Sequence, residues 1–205
     1  MQLDQFHRRA QGHKAHAERF LKLDIHGIQG FGSEWVNCYF QDCEARMGDL
    51  RTSRFLSTTM EGCLLDGTAM NGCFLEGCDI SACSFAGVTF GGATIRDVSF
   101  VGCDLRYSSF AGATLRGSVK FINCKARGAD LDFMETDDTT FAGTDLWGVR
   151  IAVGCAFFNS SFDKDTMRLF AGLVARLDPD PPLVAYAGEG LNVINRLMGP
   201  KKGGC

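Results

Sequence analysis

Residues 73–85 read CFLEGCDISACSF, and within them Cys73, Cys78 and Cys83 are spaced five residues apart. A large apolar residue follows each of these cysteines by two positions. Regularly spaced cysteines are typical of metal sites, disulfide frameworks or catalytic thiols. The same spacing also arises when a repeated structural unit buries one small residue in every repeat. The surrounding sequence distinguishes these interpretations.

The five-residue spacing continues on both sides of this stretch. Every fifth residue from Phe40 to Leu115 is apolar, and fifteen of these sixteen residues are large. An α-helix buries residues about 3.6 positions apart and a strand buries every second residue, so a sustained period of five fits neither. The large residues that we predict for the core are Leu65, Leu75, Ile80, Phe85, Phe90, Phe100, Leu105 and Phe110.

Each five-residue unit has the same internal pattern, which Cys73-Phe74-Leu75-Glu76-Gly77 illustrates. The first and third residues are two positions apart, so on an extended segment they point to the same face. The residue between them points outward and is mostly polar, and the fifth is often glycine, which permits a tight corner. One unit is therefore predicted to be a short flat side followed by a bend. Single inserted residues near 117–121 and before Phe157 shift the register, as a β-bulge does.

Nine of the ten cysteines occupy the small inward position of this pattern. A buried free cysteine behaves as a small hydrophobic residue, whereas zinc ligands converge in pairs of the type Cys-x2-4-Cys. We therefore predict packing, with no metal or cofactor, and reduced thiols because residues 1–20 lack a secretory signal. Only Cys205 lies outside the pattern, and we expect it to be mobile and oxidisable. The cysteines predicted for the core are Cys63, Cys73, Cys78, Cys83 and Cys103.

Charge and composition narrow the classes of function. The 205 residues carry a net charge of −3. The sequence lacks the strong basic patch of a nucleic-acid-binding protein, so we expect no direct binding to nucleic acid. The sequence has no apolar run of about 18 residues, so we expect no membrane-spanning helix. Together with the lack of a secretory signal, this leads us to expect a cytoplasmic protein. All four histidines precede the repeat, so no cysteine–histidine pair can form within it. We predict that the protein is not an enzyme.

Two stretches carry a family resemblance: CDLRYSSFAGATLRG, at 103–117, and ARGADLDF, at 126–133. They resemble the A(D/N)LXX consensus of the pentapeptide-repeat family. The resemblance implies the family's fold, an all-β solenoid that forms a right-handed quadrilateral β-helix with twenty residues per coil. Residues 36–163 would then make about six coils. Residues 1–35 are predicted to form an N-terminal helical cap, and residues 164–205 a C-terminal helical cap with a mobile tail.

The ends of a solenoid expose apolar side chains and backbone edges, so they need caps. Residues 3–22 fit an amphipathic helix at the N-terminal end. Beyond the repeat, apolar residues at helical spacing have two open interpretations: simple end-capping, or homodimerisation as in some family members. These residues are Met167, Phe170, Leu173, Val174, Leu177, Leu191, Ile194 and Leu197.

The resemblance also leaves two functions open. The best understood family members imitate DNA through an acidic, rod-shaped surface and protect or inhibit DNA gyrase. In this sequence a predicted outward column reads Glu76, Arg96, Arg116 and Asp137, and such mixed signs favour mutual pairing over a phosphate-like field. We therefore place a protein-interaction scaffold with an unidentified protein partner first, and a gyrase-binding DNA mimic second.

Outward apolar residues suggest where a partner would bind. Leu56 and Phe74 are predicted on one side, Leu64 on the next and Trp147 further along, and an exposed apolar cluster often marks a contact. An equal alternative is that the N-terminal helix covers Leu56 and Phe74. The acidic residues included in this candidate surface are Asp130, Asp132, Asp137 and Asp138.

Overall fold

The structure is a computed structural model that describes residues 14–150, 156–158, 160–163, 185–187 and 190–192, together with Phe6 and Ala10. Short strands account for nearly all of its regular structure. The strands are β1 Lys14–His16, β2 Arg19–Leu21, β3 Glu34–Val36, β4 Tyr39–Gln41, β5 Arg54–Leu56, β6 Thr59–Glu61, β7 Phe74–Glu76, β8 Asp79–Ser81, β9 Thr94–Arg96, β10 Ser99–Val101, β11 Thr114–Arg116, β12 Val119–Ile122, β13 Glu135–Asp137, β14 Thr139–Ala142, β15 Ala156–Phe158, β16 Ser161–Phe162, β17 Ala185–Ala187 and β18 Gly190–Asn192.

Two parallel sheets run along the molecule. The odd-numbered strands from β1 to β15 form one sheet, and the even-numbered strands from β2 to β16 form the other. Phe55 pairs with Leu75 and Met60 with Ile80, so neighbouring strands are twenty residues apart. After the first inserted residue the step becomes 21, as in the pairing of Phe100 with Phe121.

Isolated parallel bridges form two further sides, one from Asp24 to Asp145 and one from Gln29 to Arg150. The fold is thus a four-sided parallel β-solenoid of about seven turns. We name the sides in chain order: side A carries β1 to β15, side B carries β2 to β16, side C the bridges from Asp24, and side D those from Gln29. The predicted solenoid class is confirmed.

The core is a set of stacked columns along the solenoid axis. Phe100, Phe121, Phe141 and Phe162 stack in one column with centroid separations of 5.0, 5.0 and 4.9 Å. Phe90 stacks on Phe110 at 4.8 Å. Every residue predicted for the core is buried. Stacking like on like fills the interior continuously because each turn presents the same side-chain volume to the next.

The solenoid begins earlier in the chain than the sequence predicted. The helix predicted over residues 3–22 is wrong from Lys14 onward, where β1 and β2 form the first turn. The boundary at residue 36 is also wrong. On side D of this turn the two inward positions are exchanged, with Ile28 in the small position and Gly30 in the large one, which hid the repeat. The Ile28 side chain lies over Gly48 of the next turn, 2.7 Å from the position a Cβ there would take.

Phe6 and Ala10 close the N-terminal end of the core. Both have helical backbone and are buried, and the Phe6 ring stacks on Trp35 at 5.0 Å. Ala10 packs over Gly30, where a Cβ would lie 3.5 Å from that of Ala10. These two residues therefore cap the end of the columns rather than cover Leu56 and Phe74. The rest of the predicted cap helix lies outside the described residues.

At the C-terminal end, β18 pairs antiparallel with β16 and with β17. Leu191 was predicted to lie on a helix, and this is wrong: it lies in β18 opposite Phe162. A strand at this position satisfies backbone groups at the last edge of side B, which a helix would leave unpaired. The remaining cap or dimer candidates, which lie outside the described residues, are Met167, Phe170, Leu173, Val174, Leu177, Ile194 and Leu197. Dimerisation through this segment stays a prediction.

Candidate interaction surface

The thiols form a packed interior column. Five cysteines on successive turns, Cys43, Cys63, Cys83, Cys103 and Cys124, occupy the same inward position before side C. The eight described cysteines are all free and buried. Burial raises the pKa of Cys78 to about 11 and raises the pKa of Cys73 as well, so these groups stay protonated and unreactive near neutral pH.

The described residues contain no arrangement that points to metal or small-molecule chemistry. No group of three or more His, Cys, Asp or Glu residues among them could hold a metal ion. A cavity of about 30 Å³ lies inside the first turns, between Phe6, Trp35 and Cys43. Its lining is apolar and its volume is close to that of one water molecule. Among the residues that the structure describes, no helix is long and apolar enough to cross a membrane.

Charges on the outer surface are interleaved. On side A the Glu34 carboxylate lies between Lys14, at 2.9 Å, and Arg54, at 3.9 Å. Glu76 pairs with Arg96 of the next turn at 3.6 Å. Such pairing leaves no continuous negative field along this side.

The predicted acidic cluster is divided between two sides. Asp130 and Asp132 lie on side D, and both form ion pairs with Arg150. Asp137 lies on side A at the end of β13, and Asp138 occupies the corner after it. The four carboxylates therefore do not form one site.

Of the predicted apolar surface residues, Leu56 and Phe74 lie on side A and are only half-exposed. The Arg54 guanidinium covers the Phe74 ring, with its Cζ 5.1 Å from the ring centroid. Leu64 was predicted on the side next to Leu56, and this is wrong. The side centred on Met60 lies between them, so Leu64 is on side C with Trp147.

Besides Trp147, which the sequence predicted at the surface, the structure exposes large apolar side chains that the sequence did not indicate. They lie at outward positions that the repeat pattern assigned to polar residues or glycine. The five that are more than half exposed belong to sides C and D or to the corners that follow these sides, whereas Leu21 and Val101, exposed by 36% and 39%, lie on side B. The five are Phe31, Met47, Tyr107, Phe133 and Trp147, exposed by 58%, 66%, 69%, 61% and 57%.

Three of these residues also occupy unfavourable backbone conformations. Met47, Tyr107 and Phe133 are corner residues with φ of 55°, 58° and 57°. A left-handed conformation costs a residue with a side chain about 1–2 kcal/mol. Glycine occupies the same corner as Tyr107 on the turns before and after it, at Gly87 and Gly128. The signal available in the sequence was a bulky residue where the repeat favours glycine.

Tyr107, Arg127 and Trp147 come together on three successive turns, and we call them the Tyr–Trp cluster. A Cβ built on Gly128 would meet the Cδ1 and Cε1 atoms of Tyr107 at 2.8 Å, so the ring occupies the space that a side chain at Gly128 would fill. The Arg127 Cζ lies 4.7 Å from the centroid of the Trp147 ring. An exposed contact of this kind contributes about 0.5–1 kcal/mol.

Acidic partners orient the arginines around this cluster. Arg106 donates from Nε to Asp104 Oδ1 at 2.9 Å, and this hydrogen bond lowers the pKa of Asp104. The Arg127 Nε lies 3.7 Å from the Asp145 carboxylate. Lys125 bridges Asp104 and Asp145 through backbone pairing and is exposed. Side C thus presents two aromatic rings and three cations over three turns.

Residues 73–151 match the family model of the pentapeptide repeat region. This part of the chain is a pentapeptide-repeat region. Its corner geometry extends the same repeat back to Lys14, well before the matched residues. No curated protein matches the sequence at a significant level.

Solved structures similar to this chain have low sequence identity to it. A trypsin-treated variant of QnrB1, described as a plasmid-mediated fluoroquinolone resistance protein, is 16% identical with a TM-score of 0.42, over 82% of this chain and 90% of that one. A pentapeptide repeat protein from the thylakoid lumen of Arabidopsis thaliana is 16% identical with a TM-score of 0.47, over 49% and 70%. HetL from the cyanobacterium Nostoc is 11% identical with a TM-score of 0.31, over 73% and 84%.

Proposed function

We propose that this protein is a non-enzymatic scaffold that binds a protein partner through sides C and D. The observation that carries the proposal is the exposure of Met47, Tyr107 and Phe133 at left-handed corners. The isolated fold gains little from an exposed side chain, whereas each of these corners costs about 1–2 kcal/mol. Of the thirteen described non-glycine residues with positive φ, these three are the large apolar ones, and strained residues are often found where a protein acts on another molecule.

The dimensions of the solenoid suit such a partner. About seven turns at about 4.8 Å per turn give sides roughly 34 Å long. Two adjacent sides of that length can bury about 800 Å² against a partner, as a standard interface does. A reducing compartment such as the cytoplasm is part of the proposal, because the eight described cysteines are free.

Imitation of DNA explains the surface less well. A DNA-like field needs acidic groups in an unbroken row, whereas Glu34 lies between two cations and Glu76 pairs with Arg96. A supercoiling assay with purified DNA gyrase, with and without a quinolone, tests this alternative. We expect no effect of the protein at micromolar concentration. Protection or inhibition of gyrase would favour the DNA-mimic function over the scaffold.

Site-specific photo-crosslinking tests the scaffold directly. A benzophenone amino acid is placed at Tyr107 in one sample and at Asp79, exposed on side B, in the control. In cells of the native host, we expect one protein to crosslink from position 107 and not from position 79. Equal crosslinking from both positions, or none from position 107, would contradict a partner on sides C and D.

A further inference from the structure

We propose that the Tyr–Trp cluster binds an extended acidic peptide segment of the partner protein. This inference rests on the proposed scaffold function and specifies the chemistry of the segment that side C recognises. It follows from three properties of the cluster: the open aromatic rings, the surplus of cations and the spacing of the turns.

The aromatic part of the cluster is available to a ligand. Tyr107 and Trp147 are more than half exposed, and both lean toward the turn between them, one over Gly128 and the other against Arg127. Tyrosine and tryptophan supply a large contact area with few rotatable bonds, which favours them as binding anchors. The cluster is therefore a partly preorganised platform.

The charges around the platform select an acidic ligand. Arg106, Lys125 and Arg127 project from side C within two turns, and only Asp104 and Asp145 lie in the same columns of these three turns. This local surplus of one cation contrasts with the net charge of −3 of the whole chain. A carboxylate of the ligand can accept hydrogen bonds from Lys125 and from the outer edge of Arg127.

The spacing of the turns suits an extended segment. Tyr107 and Trp147 belong to turns that are two apart, which is about 9–10 Å along the axis. Three residues of polyproline II or of strand cover about the same distance. The expected ligand therefore has two apolar residues about three positions apart, with an acidic residue between them that faces Lys125.

A single-stranded nucleic acid also stacks on aromatic rings beside cations. The observations favour a peptide, because Asp104 and Asp145 lie in the same surface and would repel the closely spaced phosphates of a strand.

Selection from a random dodecapeptide library identifies the ligand chemistry, with the complete protein as bait. We expect enrichment of Asp or Glu between aromatic or proline residues. A selected peptide, labelled with fluorescein, is then titrated by fluorescence anisotropy. The protein contains two tryptophans, and Trp35 is 1% exposed, so protection from iodide quenching on peptide binding reports on Trp147.

Matched charge reversals locate the binding site. Lys125→Glu on side C should weaken peptide binding roughly tenfold, whereas Lys120→Glu, on side B, should leave it unchanged. Trp147→Ala should weaken binding by a similar factor, with circular dichroism and the unfolding midpoint unchanged. Enrichment without acidic residues, equal effects of the two lysine variants, or unaltered binding to Trp147→Ala would overturn the proposal. Tight binding of a labelled single-stranded oligonucleotide that Trp147→Ala abolishes would also overturn it.

The experiments distinguish a failure of the scaffold proposal from a failure of the acidic-segment proposal. If photo-crosslinking from position 107 captures a partner but Lys125→Glu does not reduce that capture, the acidic segment is wrong and the scaffold stands. If position 107 captures nothing, the scaffold itself is wrong.

Discussion

Inward positions of the solenoid keep the same kind of side chain from turn to turn, whereas outward positions vary in size and charge along the molecule. The inward column of side B stacks four phenylalanines, Phe100 to Phe162, at 4.9–5.0 Å. An outward column of side C instead reads Ala86, Arg106, Arg127 and Trp147. The difference teaches that the repeat determines the fold, and under the proposed function the departures from the repeat on the outer surface determine what the protein recognises.

The largest expected effect is on the unfolding free energy, which an inward substitution should lower far more than an outward one. Phe90 is fully buried and stacks on Phe110, so Phe90→Ala should lower the unfolding free energy by about 3–5 kcal/mol. Trp147→Ala, at an exposed position, should change it by no more than about 0.5 kcal/mol. Urea denaturation of both variants measures the difference. Similar losses would mean that the outer aromatic ring is part of the structural framework.

The buried thiols should make a smaller contribution to the unfolding free energy, and this contribution depends on pH. Burial raises the pKa of Cys78 from 9.0 to about 11. Between these values the unfolded chain loses the thiol proton and the folded chain keeps it, so stability is present below pH 9 and is lost as pH rises toward 11. The loss is at most about 1.4 kcal/mol per pH unit for this thiol.

The variant Cys78→Ala lacks this titrating group. The difference in unfolding free energy between the wild-type protein and this variant should therefore shift by about 2–3 kcal/mol in favour of the variant between pH 9 and pH 11. Denaturation curves of both proteins at each pH provide the measurement. A constant difference between them across this range would show that Cys78 is not held as a buried neutral thiol.

The next smaller effect is the loss of stability when alanine replaces glycine at a corner. Gly87 and Gly128 have φ of 67° and 69°, but a Cβ at Gly87 meets no atom within 4 Å, whereas one at Gly128 meets the Tyr107 ring at 2.8 Å. Gly87→Ala should therefore lose about 1 kcal/mol from backbone strain alone. Gly128→Ala should lose up to about 1 kcal/mol more, because the ring must move. Equal losses in thermal or urea denaturation would mean that Tyr107 does not rest on Gly128.

The sequence predicts the middle of the molecule well because inward residues obey one rule there. The family resemblance, rather than the period, supplied the four sides. The first turn was missed because Ile28 and Gly30 exchange the large and small positions, and because residues 3–22 also place apolar residues at helical spacing. Both patterns describe the same side chains, and only packing against Trp35 and the next turn decides between them.

The candidate surface was less predictable for a physical reason. Outward side chains are identified by the absence of a burial pattern, so Leu56 and Phe74 stood out as apolar while Tyr107 and Phe133 looked like ordinary corner residues. The side of each residue also depends on counting bends, and this placed Leu64 on the wrong side. The positive φ of Tyr107 and its contact over Gly128 exist only in the folded chain.

The most direct measurement is the unfolding free energy of Tyr107→Gly. Glycine removes the strain of a left-handed corner, about 1–2 kcal/mol, and loses part of this gain to the greater freedom of the unfolded chain. We predict that the variant is more stable than the wild-type protein by about 0.5–1 kcal/mol in urea denaturation, although it lacks the proposed binding anchor. A variant less stable than the wild-type protein would show that Tyr107 supports the solenoid, and would contradict a residue retained for a partner.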